Sequence, residues 1–409
     1  MPESNQDHIR ALVIGVGGRI GLAIVRELGE AGIHVIAASR GRDALGFSSR
    51  YVAKKYLIPP GVDDLVPFVS EVIRSDAVTH VFAVWEADII RLNDHRHEFQ
   101  GVEMMFPDHS QLSKVLDKRL LNQEASKFGL RVPPMYDPHE VLSHPNRFES
   151  GQFPIIVKAN DVNEDPLRLQ RSGIQIQKCE YYYDIDALRA RIERMLNAGV
   201  VPMVQAYCPG EGVGHTVLMH DGEAVVRCAH KRLHEWPPSG GISALCESLD
   251  PDEEGEAFEK TVGFLKSLDW EGVAMLEYRR NPHDGELYLI EVNGRFWGSL
   301  PLAYHSGVRF VSDSVQCKQR GTVTRKKCIP GIRCLSFVHE AKYLWEILRK
   351  TRSNAGPAPE SGSPLWQAVG FLTYPLRPGN HYFVFNIMDP IPFINDTRNA
   401  LRDALKLKK

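Results

Sequence analysis

Residues Glu291 to Leu300 read E-V-N-G-R-F-W-G-S-L. They follow Gly285-Glu286-Leu287-Tyr288-Leu289-Ile290, an apolar alternation that predicts a strand delivering Glu291 to its end. Side chains in a strand alternate between faces, so Asn293 projects to the same side as Glu291. A carboxylate and an amide oxygen side by side are hard donors of the kind Mg²⁺ prefers. Just upstream, Gly272-Val273-Ala274-Met275-Leu276-Glu277-Tyr278 predicts a second strand with another carboxylate near its end. The intervening Asn281-Pro282-His283-Asp284-Gly285 has the composition of a hairpin turn. Two antiparallel strands would present Glu277, Glu291 and Asn293 together, with Arg295 beyond them as a cation for phosphate. Taken singly, each acid reads better as a solvated group on an amphipathic hairpin.

The arrangement x-E-Y-hairpin-L-I-E-V-N-x-R-F-x-G-S resembles the metal-binding end of the ATP-grasp superfamily, most of all its bacterial carboxylate–amine ligase-like branch. The resemblance implies that Glu277, Glu291 and Asn293 hold Mg²⁺, or Mn²⁺ in its place, bridging the phosphates of ATP. It also implies that Arg295 contacts phosphate or acyl phosphate.

Working outward, His230-Lys231-Arg232-Leu233-His234-Glu235-Trp236-Pro237-Pro238-Ser239-Gly240-Gly241-Ile242-Ser243 reads as a loop. His230 and His234 lack a third ligand at zinc spacing, whereas the cations and glycines suit anion capture. The family has a similar basic loop facing substrate and γ-phosphate, which gives Arg232 a catalytic role. Upstream, the strand Val201-Pro202-Met203-Val204-Gln205 enters Ala206-Tyr207-Cys208-Pro209-Gly210-Glu211, resembling the hinge that frames adenine. By position Gln205, Ala206, Tyr207 and Cys208 would frame the base, and Glu211 would hold the ribose.

Phe153 to Ala159 is a buried-type strand ending in Lys158, a charge that must reach solvent or meet an anion. Ser110 to about Lys127 predicts one helix carrying Asp117-Lys118 on its polar side. The resemblance makes Lys118 and Lys158 the phosphate lysines. Asn160 to Lys178 has only Gly173 and is not a glycine-rich phosphate flap.

The chain opens with a predicted β-α-β unit, Arg10–Ile14, a helix to about Glu30 and His34–Ala38. Gly15, Gly18 and Gly21 line its first turn, where they suit a dinucleotide pyrophosphate or merely close packing of helix on strand. No acid closes the second strand; Ser39-Arg40 stands there and would suit only a 2′-phosphate. The next strand is read at Tyr56–Pro60, then a helix at about Asp63–Ser75 and a strand at His80–Val84. Trp85-Glu86-Ala87-Asp88 follows at the sheet edge where ligands usually sit.

The whole chain has 409 residues, 43% hydrophobic and 24% charged, with a formal net charge of −2. That balance gives no bulk reason to expect nucleic-acid binding. No apolar stretch approaches the roughly 20 residues needed to span a bilayer, and Met1 to Asp7 lacks the start of a signal peptide. The 7 Cys are scattered, so unpaired thiols in a cytoplasm are the simplest expectation. Arg352 to Ser363 reads as a linker, and Lys406-Leu407-Lys408-Lys409 as a frayed helix end in preference to a contact for a membrane surface.

These features predict an α/β chain with an N-terminal Rossmann-like (pre-ATP-grasp) domain followed by a two-lobed α+β ATP-grasp module. The boundaries fall at 1–105, 106–320 with a lid at about 135–205, and 321–409. The implied function is ligation: ATP activates a small-molecule carboxylate as an acyl phosphate, an amine attacks it, and ADP and phosphate leave. Two alternatives stand beside this, an NADP-dependent oxidoreductase built on the glycine turn and a non-catalytic nucleotide-binding protein. Oligomeric state is open, a homodimer included.

Overall fold

The computed structural model describes residues 9–61, 63–148, 150–160, 164–175, 177, 179–324, 326–349, 356–357 and 362–406. The expectations for Met1–Asp7, for most of the 352–363 linker, for residues 161–163, 176 and 178 of the flap segment and for the last three residues lie outside these.

Five strands form a parallel sheet: β1 (Arg10–Ile14), β2 (His34–Ser39), β3 (Val52–Leu57), β4 (His80–Ala83) and β5 (Glu103–Met104), in the order β3-β2-β1-β4-β5. β1 and β2 are almost wholly buried, as the apolar runs of a covered parallel sheet should be. β3 begins earlier than Tyr56. Lys54 and Lys55 interrupt its apolar pattern, and Lys54 ion-pairs with Asp76 at 2.8 Å. The glycine turn is explained by packing. A Cβ on Gly21 would lie 2.6 Å from Val16 Cα, so helix Arg19–Glu30 can approach the turn only with glycine there. Arg40 is held by Asp88 through two hydrogen bonds of 2.8 and 3.1 Å.

Glu27, on that helix, is buried and accepts hydrogen bonds from the backbone N–H groups of Val311 (2.7 Å) and Ser312 (2.9 Å), at the start of helix Phe310–Arg320. Burial outweighs these bonds and pushes its carboxyl up to about 7. The folded state therefore holds this proton more tightly than the unfolded state. Stability from Glu27 is full below about pH 4.5 and is lost as pH rises through about 7. Urea melts should show a decline on the order of 3 kcal/mol across that window, and Glu27→Gln should flatten it.

A smaller antiparallel sheet follows: β6 (Met135–Tyr136), β7 (Ile155–Lys158), β8 (Glu180–Tyr182) and β9 (Met203–Ala206), in the order β6-β9-β7-β8. Its apolar face packs with Leu188, Ile192 and Met195 of helix Ile185–Asn197. The third sheet has seven strands: β10 (Glu211–His220), β11 (Glu223–Trp236), β12 (Ile242–Leu249), β13 (Gly272–Arg280), β14 (Leu287–Asn293), β15 (Arg333–Leu335) and β16 (Asn380–Tyr382). Their order is β14-β13-β10-β11-β12-β15-β16. The expected hairpin is β13–β14. The expected loop at 230–243 is mostly strand: β11 runs to Trp236 and β12 begins at Ile242, leaving only a turn between. Its polar sequence hid the strand because its polar side chains are paired with residues distant in the chain, among them His230 with Ser299 and His234 with Glu340.

The single helix expected from Ser110 to Lys127 is two, His109–Leu116 and Lys118–Phe128. Asp117 is extended between them, and its side chain accepts from the N–H groups of Arg119 (2.9 Å) and Leu120 (3.0 Å), an N-cap that starts the second helix.

The C-terminal residues are tied into the rest. Buried Asp389 accepts from Arg26 Nε (2.9 Å), the Ser49 hydroxyl (2.8 Å) and the Arg50 N–H (2.9 Å), while Arg26 also donates to the carbonyls of Val384 and Asp389. Against the expectation of unpaired thiols, Cys228 and Cys328 form a disulfide across a sequence separation of 100, a pairing no local spacing announces. Cys179, Cys208, Cys246, Cys317 and Cys334 are free thiols.

Candidate functional site

The small sheet faces the hairpin across a cleft with about 700 Å³ of non-atom space, its open mouth included. From the small sheet come Ile156 and Lys158 of β7, Tyr181 of β8, and Gln205 and Ala206 of β9, followed by Tyr207 and Cys208. From the large sheet come Arg232, Glu277, Arg279 and Glu291, and Lys118 enters from the start of its helix. Tyr181 closes one side, its hydroxyl donating to the Ser239 carbonyl at 2.9 Å. The fold thus gathers nine residues that the sequence assigned: Lys118, Lys158, Gln205, Ala206, Tyr207, Cys208, Arg232, Glu277 and Glu291.

Lys118 is 9% exposed and has no ion-pair or hydrogen-bond partner for its ammonium among the described residues. A buried cation is costly without an anion beside it. The aspartate-capped break at Asp117 explains its position: Asn160 Nδ2 donates to Asp117 at 3.2 Å, tying the helix start to the end of β7. Gln205, 1% exposed, accepts from Lys158 Nζ at 3.5 Å, and its own Nε2 donor is buried without a partner. Two lysines and an orphan donor make this end of the cleft receptive to anions and acceptors.

Glu277 and Glu291 are directly opposed in the β13–β14 register, and Met275 is opposite Asn293. Asn293 Nδ2 donates to Glu277 Oε1 at 3.1 Å, which holds the amide, with its carbonyl oxygen, beside the acids. The two carboxylates and that carbonyl are a hard oxygen set suited to Mg²⁺. Arg232 Nη2 lies 2.7 Å from Glu277, and Arg232 Nη1 lies 3.0 Å from Glu235. Burial disfavours the Arg232 cation, but Glu277 and Glu235 more than compensate and hold it above its ordinary range. Glu235 is likewise buried; Arg279 (2.7 Å) and Arg232 keep it ionised and below the usual carboxylate range. Arg279 and Glu235 were missed in the sequence. Arg279 is two residues past Glu277 on the same face of β13, a signal that was present; Glu235 was lost in the supposed loop.

A second cavity, about 950 Å³ with its mouth, shares Arg232, Gly241, Glu277 and Glu291 with the first. Asn293 and Arg295 line this one, with Arg19, Ile20 and Trp85 of the parallel-sheet region and Ile242, Met275 and Trp297. Arg295 Nε donates to Glu86 at 3.0 Å, so Arg295 stands on the far side of the acids from Lys118. Glu211 lines neither cavity; it is exposed at the start of β10. His230 bonds the Ser299 hydroxyl (3.1 Å) and His234 bonds Glu340 (2.6 Å), so the two histidines do not converge.

No family model matches the sequence, and no curated protein matches it. Solved structures do. The biotin carboxylase domain of Hydrogenobacter thermophilus 2-oxoglutarate carboxylase, in complex with MgADP, ADP and bicarbonate, is similar at a TM-score of 0.61 and 14% identity, covering 78% of this chain and 72% of that one. N5-carboxyaminoimidazole synthetase from Staphylococcus aureus is similar at 0.60 and 13% identity, covering 84% and 85%. L-amino acid ligase from Bacillus licheniformis is similar at 0.56 and 14% identity, covering 76% and 74%. With the parallel sheet, the small antiparallel sheet and the acid-bearing hairpin in the same chain, this protein has the ATP-grasp fold.

Proposed function

We propose that this protein is an ATP-dependent carboxylate–amine ligase. The observation that carries this is the largely buried side chain of Lys118, whose ammonium has no partner among the described residues, in a cleft that also holds Lys158 and opens onto Glu277 and Glu291. Such a cleft suits a polyphosphate at one end and a divalent cation at the other. Gln205 to Cys208 would frame adenine, with Gln205 Nε2 supplying a donor, and Glu211 would reach the ribose from the rim. Glu277, Glu291 and the Asn293 carbonyl would hold Mg²⁺, whose chemistry is to offset phosphate charge.

The second cavity is assigned to the acid. Its walls combine Arg19 and Arg295 with Trp85, Ile20 and Ile242, which fits a carboxylate carried on an apolar body. Lys118 and Lys158 would orient the phosphates so that the γ-phosphoryl group passes to a carboxylate oxygen, giving acyl phosphate and ADP. Attack by the amine nitrogen on the acyl carbon then forms the amide, releases phosphate and frees a proton. The protein contributes position and charge rather than a nucleophile. Arg232 lies between the cavities, where it can stabilise charge on the phosphoryl group in transit. In this scheme residues 1–105 are a Rossmann-like front domain, 106–320 the nucleotide module with its lid at about 135–205, and 321–409 an extension whose strands lengthen the module's sheet.

The test is calorimetric binding of Mg²⁺ with a non-hydrolysable ATP analogue, beside NADP, followed by ADP release over a panel of apolar carboxylates and amines. Lys118→Met should lower affinity for the analogue by about 10- to 100-fold, the worth of one or two charge-assisted hydrogen bonds. The same change should leave the unliganded melting temperature equal or higher, because it removes a buried charge. Binding of NADP alone would reject the ligase. That outcome is disfavoured by Arg40, whose guanidinium Asp88 already occupies.

A further inference from the structure

Helix Pro364–Thr373, P-L-W-Q-A-V-G-F-L-T, contains no charged residue and is apolar on two sides. Its inner side packs: Phe371 meets Phe337 with ring centroids 5.4 Å apart, and Tyr374 just beyond is buried. Its outer side carries Leu365, Val369 and Leu372, continued past the helix by Leu376, at spacings that place them along one stripe. Leu365, Leu372 and Leu376 are 72%, 76% and 81% exposed, and Trp366 beside them is 75% exposed. Trp345 and Leu348 are exposed on helix Phe337–Arg349, the helix that contributes Phe337. A helix apolar on both sides is normally buried in something.

Charge says what that is. Residues 337–409 carry ten Lys and Arg against six Asp and Glu, whereas residues 1–336 carry 39 against 45. Of the six acids, Glu340, Glu346 and Asp389 are buried, while Lys342, Arg349, Arg377 and Arg398 are exposed. A second copy docked on the same stripe would bring two cationic segments together, which repel. An anionic bilayer offers an apolar layer beneath opposite charge, the combination that holds interfacial helices and their tryptophans. We propose that this face docks on an anionic membrane surface. The protein would lie on the bilayer, since among the described residues no helix is long and apolar enough to cross one.

The full chain should be sedimented with vesicles of phosphatidylcholine alone and of phosphatidylcholine with phosphatidylserine. Capture by the anionic vesicles, weakening as salt rises, is the expected result. Leu372→Glu with Leu376→Glu should reduce it roughly tenfold or more, with the melting temperature and the affinity for the ATP analogue unchanged. No capture, capture insensitive to these substitutions, or equal capture by neutral vesicles would overturn the proposal. So would a wild-type dimer that the substitutions dissolve without any lipid binding, which would assign the stripe to a second copy. Lipid capture is read without turnover, so its failure and that of the ligase assignment are distinguishable.

Discussion

Glu291→Ala should reduce ADP release by about a thousandfold, the equivalent of some 4 kcal/mol of lost charge stabilisation, while the protein stays folded. Half of the opposed carboxylate pair is then missing, and a neutral amide with one acid is a poor magnesium site. Glu277 is the less clean test. Its carboxylate also anchors Arg232 at 2.7 Å and accepts from Asn293 at 3.1 Å. Glu277→Ala would leave the Arg232 guanidinium with Glu235 and the Gly241 carbonyl and would cost stability as well as turnover. Glu277→Gln keeps a hydrogen-bond acceptor and separates the two effects. The measurement is ADP release against Mg²⁺ concentration, with a urea melt of each variant in parallel. Turnover in Glu291→Ala within tenfold of wild type would move the metal elsewhere or remove it from the reaction.

Asp389→Ala should destabilise the fold by about 3–5 kcal/mol, the cost of stranding one member of a buried ion pair. Asp389 is 2% exposed and satisfies Arg26, the Ser49 hydroxyl and the Arg50 N–H together. Removing it leaves a guanidinium facing apolar surroundings with only the carbonyls of Val384 and residue 389 to meet it. Replacing both partners, Arg26→Met with Asp389→Leu, should restore part of the loss, because no charge is then left unpaired while the Ser49 hydroxyl and the Arg50 N–H still lose their acceptor. Denaturant melts of the single and double variants would decide this. A single variant as stable as wild type would mean that water reaches Arg26.

The acid-bearing hairpin was legible because both strands obey a simple alternation and their turn has a distinctive composition. The lysine at the end of β7 was legible for a similar reason, a charge closing an apolar run. The Asp117 break was harder: the apolar face of the helix continues through it, and only the capping geometry shows that a new helix starts. The β11 segment His230–Trp236 failed as a strand in sequence because its polar side chains find partners far along the chain, His230 with Ser299, Arg232 with Glu277 and His234 with Glu340, which no local pattern announces. β15 and β16 were out of reach entirely. Each has three residues, and each owes its conformation to a neighbour far away in the chain. The Cys228–Cys328 pairing is of the same kind.

The Arg26–Asp389 pair has a meaning for synthesis on the ribosome. Its members are separated by 363 positions, so at usual elongation rates roughly 20–70 s pass between their emergence. During that interval the first helix of the nascent chain exposes a side built to bury a cation against a segment not yet made. The parallel sheet can assemble early, but it cannot reach its final stability until Asp389 has left the exit tunnel. A chain truncated before Asp389 would therefore carry a weakened parallel-sheet region, exposed to chaperones and proteases for want of that partner.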